Sequence, residues 1–159
     1  MAKVPENPCS IARTLGVIGE RWTILILRDA IEGLSRFDDF RQSLGIAPDV
    51  LSARLATLVE HGVMQKTEYR EHNERRRYAY TLTPAGHELL PTLMALQEWG
   101  DKHLPWPEGP SVLRHDPAGA PVHVGLIDNQ GHEVPPEDLT RVKTDAYPAE
   151  RIEILTRHS

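Results

Sequence analysis

The chain has 159 residues, 40% of them hydrophobic, one cysteine and a formal net charge of −5. That length suits one ordinary domain, or a small domain with an appendage, and a single cysteine excludes an internal disulfide framework. No apolar run approaches the roughly 20 residues of a membrane span; none is longer than Ile24-Leu25-Ile26-Leu27, and the opening MAKVPENPCS lacks the apolar stretch of a signal peptide, so a cytoplasmic protein with no membrane partner is expected.

The acidity is unevenly spread. Residues 1–103 hold 13 Lys+Arg and 14 Asp+Glu, whereas residues 104–159 hold 5 and 9. Eight of the 13 prolines also fall after residue 103, with Pro105, Pro107 and Pro110 close together. A boundary near residue 104 therefore separates a domain over 9–103 from an extension over 104–159. Phosphate binding depends on local basic clusters rather than on total charge, so the near-neutral first part is compatible with nucleic acid.

In chain order, Ile11, Leu15 and Ile18 recur at helical spacing. Gly19 interrupts the stripe, and Trp22, Leu25 and Ile26 continue it to Ile31. Two consecutive helices are expected, the second ending at Gly33, with positions 11, 15, 18, 22 and 25 sharing a buried face and Trp22 as a core anchor. Ser35 then precedes Arg36-Phe37-Asp38, an N-cap followed by a first-turn carboxylate. The helix from Arg36 to Leu44 turns Phe37, Phe40 and Leu44 inward and Arg36 and Arg41 outward. Arg36 stands where it can touch phosphate; Arg41 reads as a solvated surface residue.

Gly45 to Gly62, GIAPDVLSARLATLVEHG, reads as a tight corner and one short helix. Val50 or Leu51, Leu55, Leu58 and Val59 form one apolar stripe. Asp49, Ser52, Arg54 and Thr57 lie between them on the other face. Pro48 suits the first turn, where its missing N–H leaves no donor unpaired, and Gly62 suits a left-handed cap. Two helices across a short glycine turn make a helix-turn-helix, whose second helix enters the DNA major groove. An ordinary helical hairpin fits these residues equally well; the flanking segments decide.

After Gly62 the period changes. Residues 66–71 and 77–82 are strand-like, with His72-Asn73-Glu74-Arg75 as the turn. A β-hairpin after a helix-turn-helix makes a winged helix. Arg75, Arg76 and Arg77 crowd the hairpin, with Arg70 on the facing strand. Consecutive arginines at an exposed tip suit the sugar-phosphate backbone or the minor groove, although a lone hairpin could carry them for solubility. Thr83-Pro84 then opens a helix, Thr as N-cap and Pro in the first turn. Its Leu89, Leu90, Leu93, Leu96 and Trp99 exceed what a small core needs. It is read as a dimerisation helix, bent at Pro91, pairing with its symmetry mate so that two recognition helices lie one DNA turn apart, roughly 34 Å.

Residues 111–127 alternate in polarity, Asp128-Asn129-Gln130-Gly131 looks like a turn, and Arg151 to Leu155 alternates like a strand. The extension is expected to be small and β-rich. The fold class is therefore mainly α with a β-hairpin wing: a winged helix-turn-helix plus a β-rich C-terminal appendage.

These residues resemble the HxlR family of bacterial winged-helix regulators, relatives of the MarR group. The resemblance rests on Cys9-Ser10, Ile18-Gly19-x-x-Trp22, Ile26-Leu27-Arg28, Gly33-x-x-Arg36-Phe37, Gly45-Ile46, Leu51-Ser52-x-Arg54-Leu55, His61-Gly62, Tyr78-x-Tyr80-x-Leu82-Thr83-x-x-Gly86 and Leu90-Pro91-x-Leu93, in order over residues 9–99. It implies a homodimer that binds double-stranded operator DNA, usually as a repressor. It further implies DNA contacts from Arg36, from Pro48, Asp49, Ser52 and Arg54 at the start of the recognition helix, and from Arg75, Arg76 and Arg77. The sequence departs from the family at Ala47, where a serine cap is common, and by placing Glu71 and Glu74 in the wing.

In some family members an N-terminal cysteine at the place of Cys9 senses oxidants or electrophiles. A thiol reacts only when its thiolate is stabilised and accessible; Arg13 and a helix N-terminus would help, while an inert, buried side chain is the alternative. The tail resembles an extension that elsewhere looks like a ribbon with paired cysteines. Here its turns hold none, and His115, His123 and His132 do not supply four ligands at zinc spacing. No metal or cofactor is expected. The leading expectation is a dimeric, sequence-specific DNA-binding regulator answering to a small molecule or a redox signal. The alternative is a winged-helix protein-interaction module without DNA binding. An enzyme is not expected, since no nucleophile-base pair or metal spacing gathers the scattered carboxylates and imidazoles.

Overall fold

Ten glycine- and proline-punctuated segments take up regular structure in the computed structural model, which describes residues 6–70 and 77–157. Packing divides the chain into two units, residues 1–90 together with 145–159, and residues 91–144.

The first unit begins with α1 (Ser10–Ile18) and α2 (Arg21–Ile31). Gly19 joins them, its N–H donating to the Leu15 carbonyl at 2.9 Å. A Cβ at Gly19 would sit 2.4 Å from that oxygen, so the corner needs glycine. The shared face expected through residues 11, 15, 22 and 25 is not the buried one. Ile18 is buried, but Ile11 and Leu15 are 71% and 58% exposed. On α2 the inward residues are Thr23, Ile26, Leu27 and Asp29. Trp22 is half-buried under the Arg21 guanidinium, 4.3 Å from its ring centroid, and is not a core anchor. The reason is that α2 packs on α3 and α4 as well as α1, and the face toward those later helices is the one that closes.

Next come α3 (Phe37–Leu44) and α4 (Pro48–Glu60). Ser35 does not cap α3; the N-cap is Arg36, without a side-chain bond. The Ser35 carbonyl instead accepts the Tyr80 N–H at 2.7 Å, and Arg36 bridges Ala79. The segment is thus tied to the wing by one isolated bridge and one backbone hydrogen bond. Gly45 ends α3 at φ 60, a left-handed conformation that side chains disfavour. Pro48 opens α4 as expected, and Ala47 caps it with no side-chain bond.

The strands β1 (Met64–Tyr69) and β2 (Arg77–Leu82) pair antiparallel, Met64 against Leu82 through Tyr69 against Arg77. Leu51, Leu55 and Leu58 of α4 meet Ile26, Leu27, Phe40 and Met64 in a core where each is at most 1% exposed. Burying each such side chain stabilises by about 1.5–3 kcal/mol. Thr57, expected on the outer face, is buried, its hydroxyl donating to the Ala53 carbonyl at 3.1 Å.

Thr83 caps α5 (Pro84–His87), accepting the Gly86 N–H at 3.2 Å. A single bent helix was expected from here; instead α5 ends after one turn. Pro91 has no N–H, which makes a helix interior costly, but it fits the first turn of a new helix. That helix, α6 (Leu90–His103), belongs with the second unit apart from its first residue.

Residues 104–144 are not β-rich. Their described structure is two isolated bridges, His115 with Pro121 and Ile127 with Glu133, and one 3-10 turn at Pro136–Asp138. Each bridge closes the same kind of loop. Asp116 Oδ1 accepts the N–H groups of Ala118 and Ala120, and Asp128 Oδ1 those of Gln130 and His132, all at 2.8–2.9 Å. A short polar side chain closing its own loop replaces a ladder of strand bonds. Arg151 to Leu155, expected as a strand, lies in α7 (Ala149–Thr156) of the first unit, led by Pro148 with Glu150 in the first turn. Among the described residues no helix is long and apolar enough to cross a membrane.

Candidate nucleic-acid interface

The core holds α4 by one side only. Leu51, Leu55 and Leu58 are fully buried, while Pro48, Asp49, Ser52, Ala53 and Ala56 are exposed. The exposed face is made of short side chains, so the helix backbone itself can come close to whatever lies against it. Its N-terminus presents backbone N–H groups without a capping side chain, an arrangement suited to phosphate oxygens.

Arg36 is exposed and sits at the junction of α3 and the wing. Its guanidinium carbon lies 5.1 Å from the Tyr69 ring centroid. Arg77 is exposed at the start of β2, directly opposite Tyr69. Lys66 Nζ stands 3.8 Å from the Tyr78 centroid, and Arg70 is 3.8 Å from Glu68. Phe37, Asp38, Tyr69, Arg77, Tyr78 and Tyr80 line a cleft of about 270 Å³ between α3 and the wing. Arg75 and Arg76 of the expected wing tip, with Glu71 and Glu74, lie outside the described residues.

Arg54 is placed differently from Ser52. Its side chain is 25% exposed and faces Glu20 at 3.6 Å, with Nε enclosed and unpartnered. The i, i+2 spacing from Ser52 carries it around the helix toward the start of α2, so it is not on the open polar face.

Sequence reasoning missed three residues that shape this surface. Glu20 receives Arg54. Tyr69 lies under Arg36. Asp29, 5% exposed, accepts Arg28 Nε at 2.8 Å and Ser43 Oγ at 2.7 Å, tying α2 to α3. Only Asp29 left a signal: a carboxylate three residues after Ile26 on the buried face of α2 needs partners there.

Cys9 is partly exposed at the N-cap of α1. The Ala12 N–H, aided by the Ile11 N–H and by the charges of Arg151 and Arg13, lowers its thiol pKa despite the opposing effect of desolvation. Arg13 itself is held by the Asn7 carbonyl at 2.6 Å and Ser10 Oγ at 3.1 Å. Among the described residues no three of His, Cys, Asp and Glu converge as a metal site.

The pattern of the HxlR-like helix-turn-helix family matches residues 17–107. An uncharacterised HTH-type transcriptional regulator of Mycobacterium tuberculosis is 41% identical over 133 residues, covering 82% of this chain and 83% of that one. A solved candidate transcription factor superposes with a TM-score of 0.73 at 40% identity, over 86% of this chain and 95% of its own. The redox regulator HypR in its reduced form superposes with a TM-score of 0.54 at 27% identity, over 60% of this chain and 96% of its own.

Proposed function

The chain belongs to the HxlR-like helix-turn-helix family of transcriptional regulators, and on that premise we propose that it acts as a homodimeric repressor binding double-stranded operator DNA. One observation carries the reading: α4 is fully buried along Leu51, Leu55 and Leu58 and bare along Pro48, Asp49, Ser52 and Ala53, beside Arg36 and the wing. The bare face enters the major groove, Ser52 meets base edges or phosphate, and Pro48 and Asp49 bring the helix N-terminus to the backbone. Arg36 and Arg77, with Arg75 and Arg76, hold the flanking phosphates. Arg54 joins them by exchanging Glu20 for a phosphate.

Two features support a dimer. On α1, Ile11 and Leu15 are exposed; on α6, Leu96 and Trp99 are 52% and 59% exposed. Side chains of that size on a helix are usual at interfaces between subunits. No described residue from 91 to 144 is buried, so that unit lacks a core of its own and gains one by association. An effector fits the groove of about 420 Å³ in this second unit, where Met94, Val112, Leu113 and Val122 supply an apolar lining and Lys102 and His123 polar ends. Cys9 is the candidate input for a redox signal, its thiolate favoured by the α1 N-terminus and Arg151.

A gel shift against the DNA upstream of its own gene tests the proposal. Replacing Arg75, Arg76 and Arg77 by alanine weakens binding and lowers the slope of log affinity against log salt by about one unit per lost phosphate contact. A wild-type protein that shifts no DNA at low salt would leave the protein-interaction module standing, a reading that the overall charge of −5 also suits.

A further inference from the structure

Tyr69 ends β1 and is half-buried. Three features meet on it. Arg36 arrives from the α3 side, its guanidinium carbon 5.1 Å from the ring centroid, inside the roughly 6 Å reach of a cation–π contact. Arg77 is its directly opposed partner across the hairpin, so the two side chains spring from points about 5 Å apart. The backbone that leads into Arg36 is pinned to the wing nearby: Arg36 bridges Ala79, and the Ser35 carbonyl accepts the Tyr80 N–H at 2.7 Å. The helix-turn-helix and the wing are thus joined close to the ring that Arg36 covers and that Arg77 pairs with across the hairpin.

We propose that Tyr69 is a positioning residue for phosphate recognition, its ring holding Arg36 in register with Arg77 so that both act on one stretch of DNA backbone. The inference rests on the DNA-binding reading above. A guanidinium meets a phosphate through its in-plane N–H groups. A ring against its face sets the plane without competing for those directions. The side chain of Arg36 otherwise loses rotamer freedom on binding, and part of that loss is taken before DNA arrives. Asp38, two residues on from Arg36, is exposed and lines the same cleft as Tyr69 and Arg77.

The test uses the full-length protein and a mixed-sequence duplex about three helical turns long, since phosphate contacts do not depend on sequence. Affinity is measured by fluorescence anisotropy across a salt series for wild type, R36A, Y69F, Y69L and the R36A/Y69L double variant. Y69F keeps the ring and stays within about twofold of wild type. Y69L loses about 3- to 10-fold, and its salt slope falls by up to about one. The double variant binds no worse than R36A alone, because the ring acts through that arginine. A Y69L protein that binds as wild type while R36A is weakened overturns the proposal. So does a double variant whose losses add, which would make Tyr69 an independent contact. If R36A itself binds as wild type, the phosphate role of Arg36 fails first. Should Y69L unfold, Tyr69→Trp serves instead: the stronger π face retains or tightens binding, whereas a merely packed tyrosine loses affinity on enlargement. The Arg36 side-chain NMR signals also report directly, shifted by the ring in wild type and Y69F and released in Y69L.

Discussion

Removing the Asp29 carboxylate tests how the recognition element is held to the rest of the molecule. Asp29 is 5% exposed and receives Arg28 Nε at 2.8 Å, Arg28 Nη2 at 2.7 Å and Ser43 Oγ at 2.7 Å. Hydrogen bonds to charged groups contribute about 1.5–3 kcal/mol each. In Asp29→Ala the Arg28 side chain, 53% exposed, turns to water, so its share is largely recovered. The Ser43 contact and the packing of the carboxylate are not recovered. The expected loss is therefore about 2–3 kcal/mol, at or just below the roughly 3–5 kcal/mol that breaking a fully buried ion pair costs, because Arg28 is half in water. Asp29→Asn retains an acceptor for Arg28, and the Ser43 hydroxyl can rotate to accept from the new amide, so about 1 kcal/mol is lost. For a unit of this size 1 kcal/mol moves the melting temperature by roughly 4–8 °C. Urea and thermal unfolding of D29A, D29N, S43A and D29A/S43A provide the measurement. The double variant should equal D29A, because both act through one bond. An S43A loss that adds fully to D29A, or a D29A loss below about 0.5 kcal/mol, refutes the reasoning that this carboxylate ties α2 to α3.

Two further predictions concern the backbone and Cys9. A Cβ on Gly86 would lie 2.2 Å from the Val63 carbonyl oxygen, so Gly86→Ala should destabilise by about 1–3 kcal/mol. Gly100→Ala, in α6 with nothing within 4 Å, should be neutral or stabilise by up to about 1 kcal/mol; chemical denaturation separates them, and equal effects would contradict the close approach. The folded-state pKa of Cys9 is depressed, so its thiolate persists to lower pH than in the unfolded chain, and the associated preference for folding fades as pH falls through the depressed value. The pH at which iodoacetamide alkylation is half-maximal should lie below that of the urea-unfolded protein and rise toward it in Arg151→Ala and Arg13→Ala; identical midpoints in folded and unfolded protein would remove the electrostatic account.

Much of this protein was legible in its residue order because the deciding forces are local. Glycines at 45 and 62 adopt φ of 60 and 68, conformations that few other residues accept, and so α3 and α4 stop where they should. Pro48 and Thr83-Pro84 likewise opened helices through backbone chemistry carried by single residues. The stripe through Leu51, Leu55 and Leu58 named its own buried side. What failed depended on neighbours distant in sequence. Trp22 and Leu15 have the right spacing for a core, yet the helices packed on α2 close over Thr23, Ile26 and Leu27 instead. Ser35 looks like a cap until the edge of β2 takes its carbonyl. Arg54 resembles its neighbour Ser52 on paper, but Glu20 captures it across the fold. RIEIL alternates like a strand but, led by Pro148 and with Glu150 in the first turn, coils into α7. Hydrophobic spacing determines that a face will be buried and where a helix must end; only tertiary packing decides which neighbour buries it, because a contact's free energy belongs to both partners and one of them is always elsewhere in the chain.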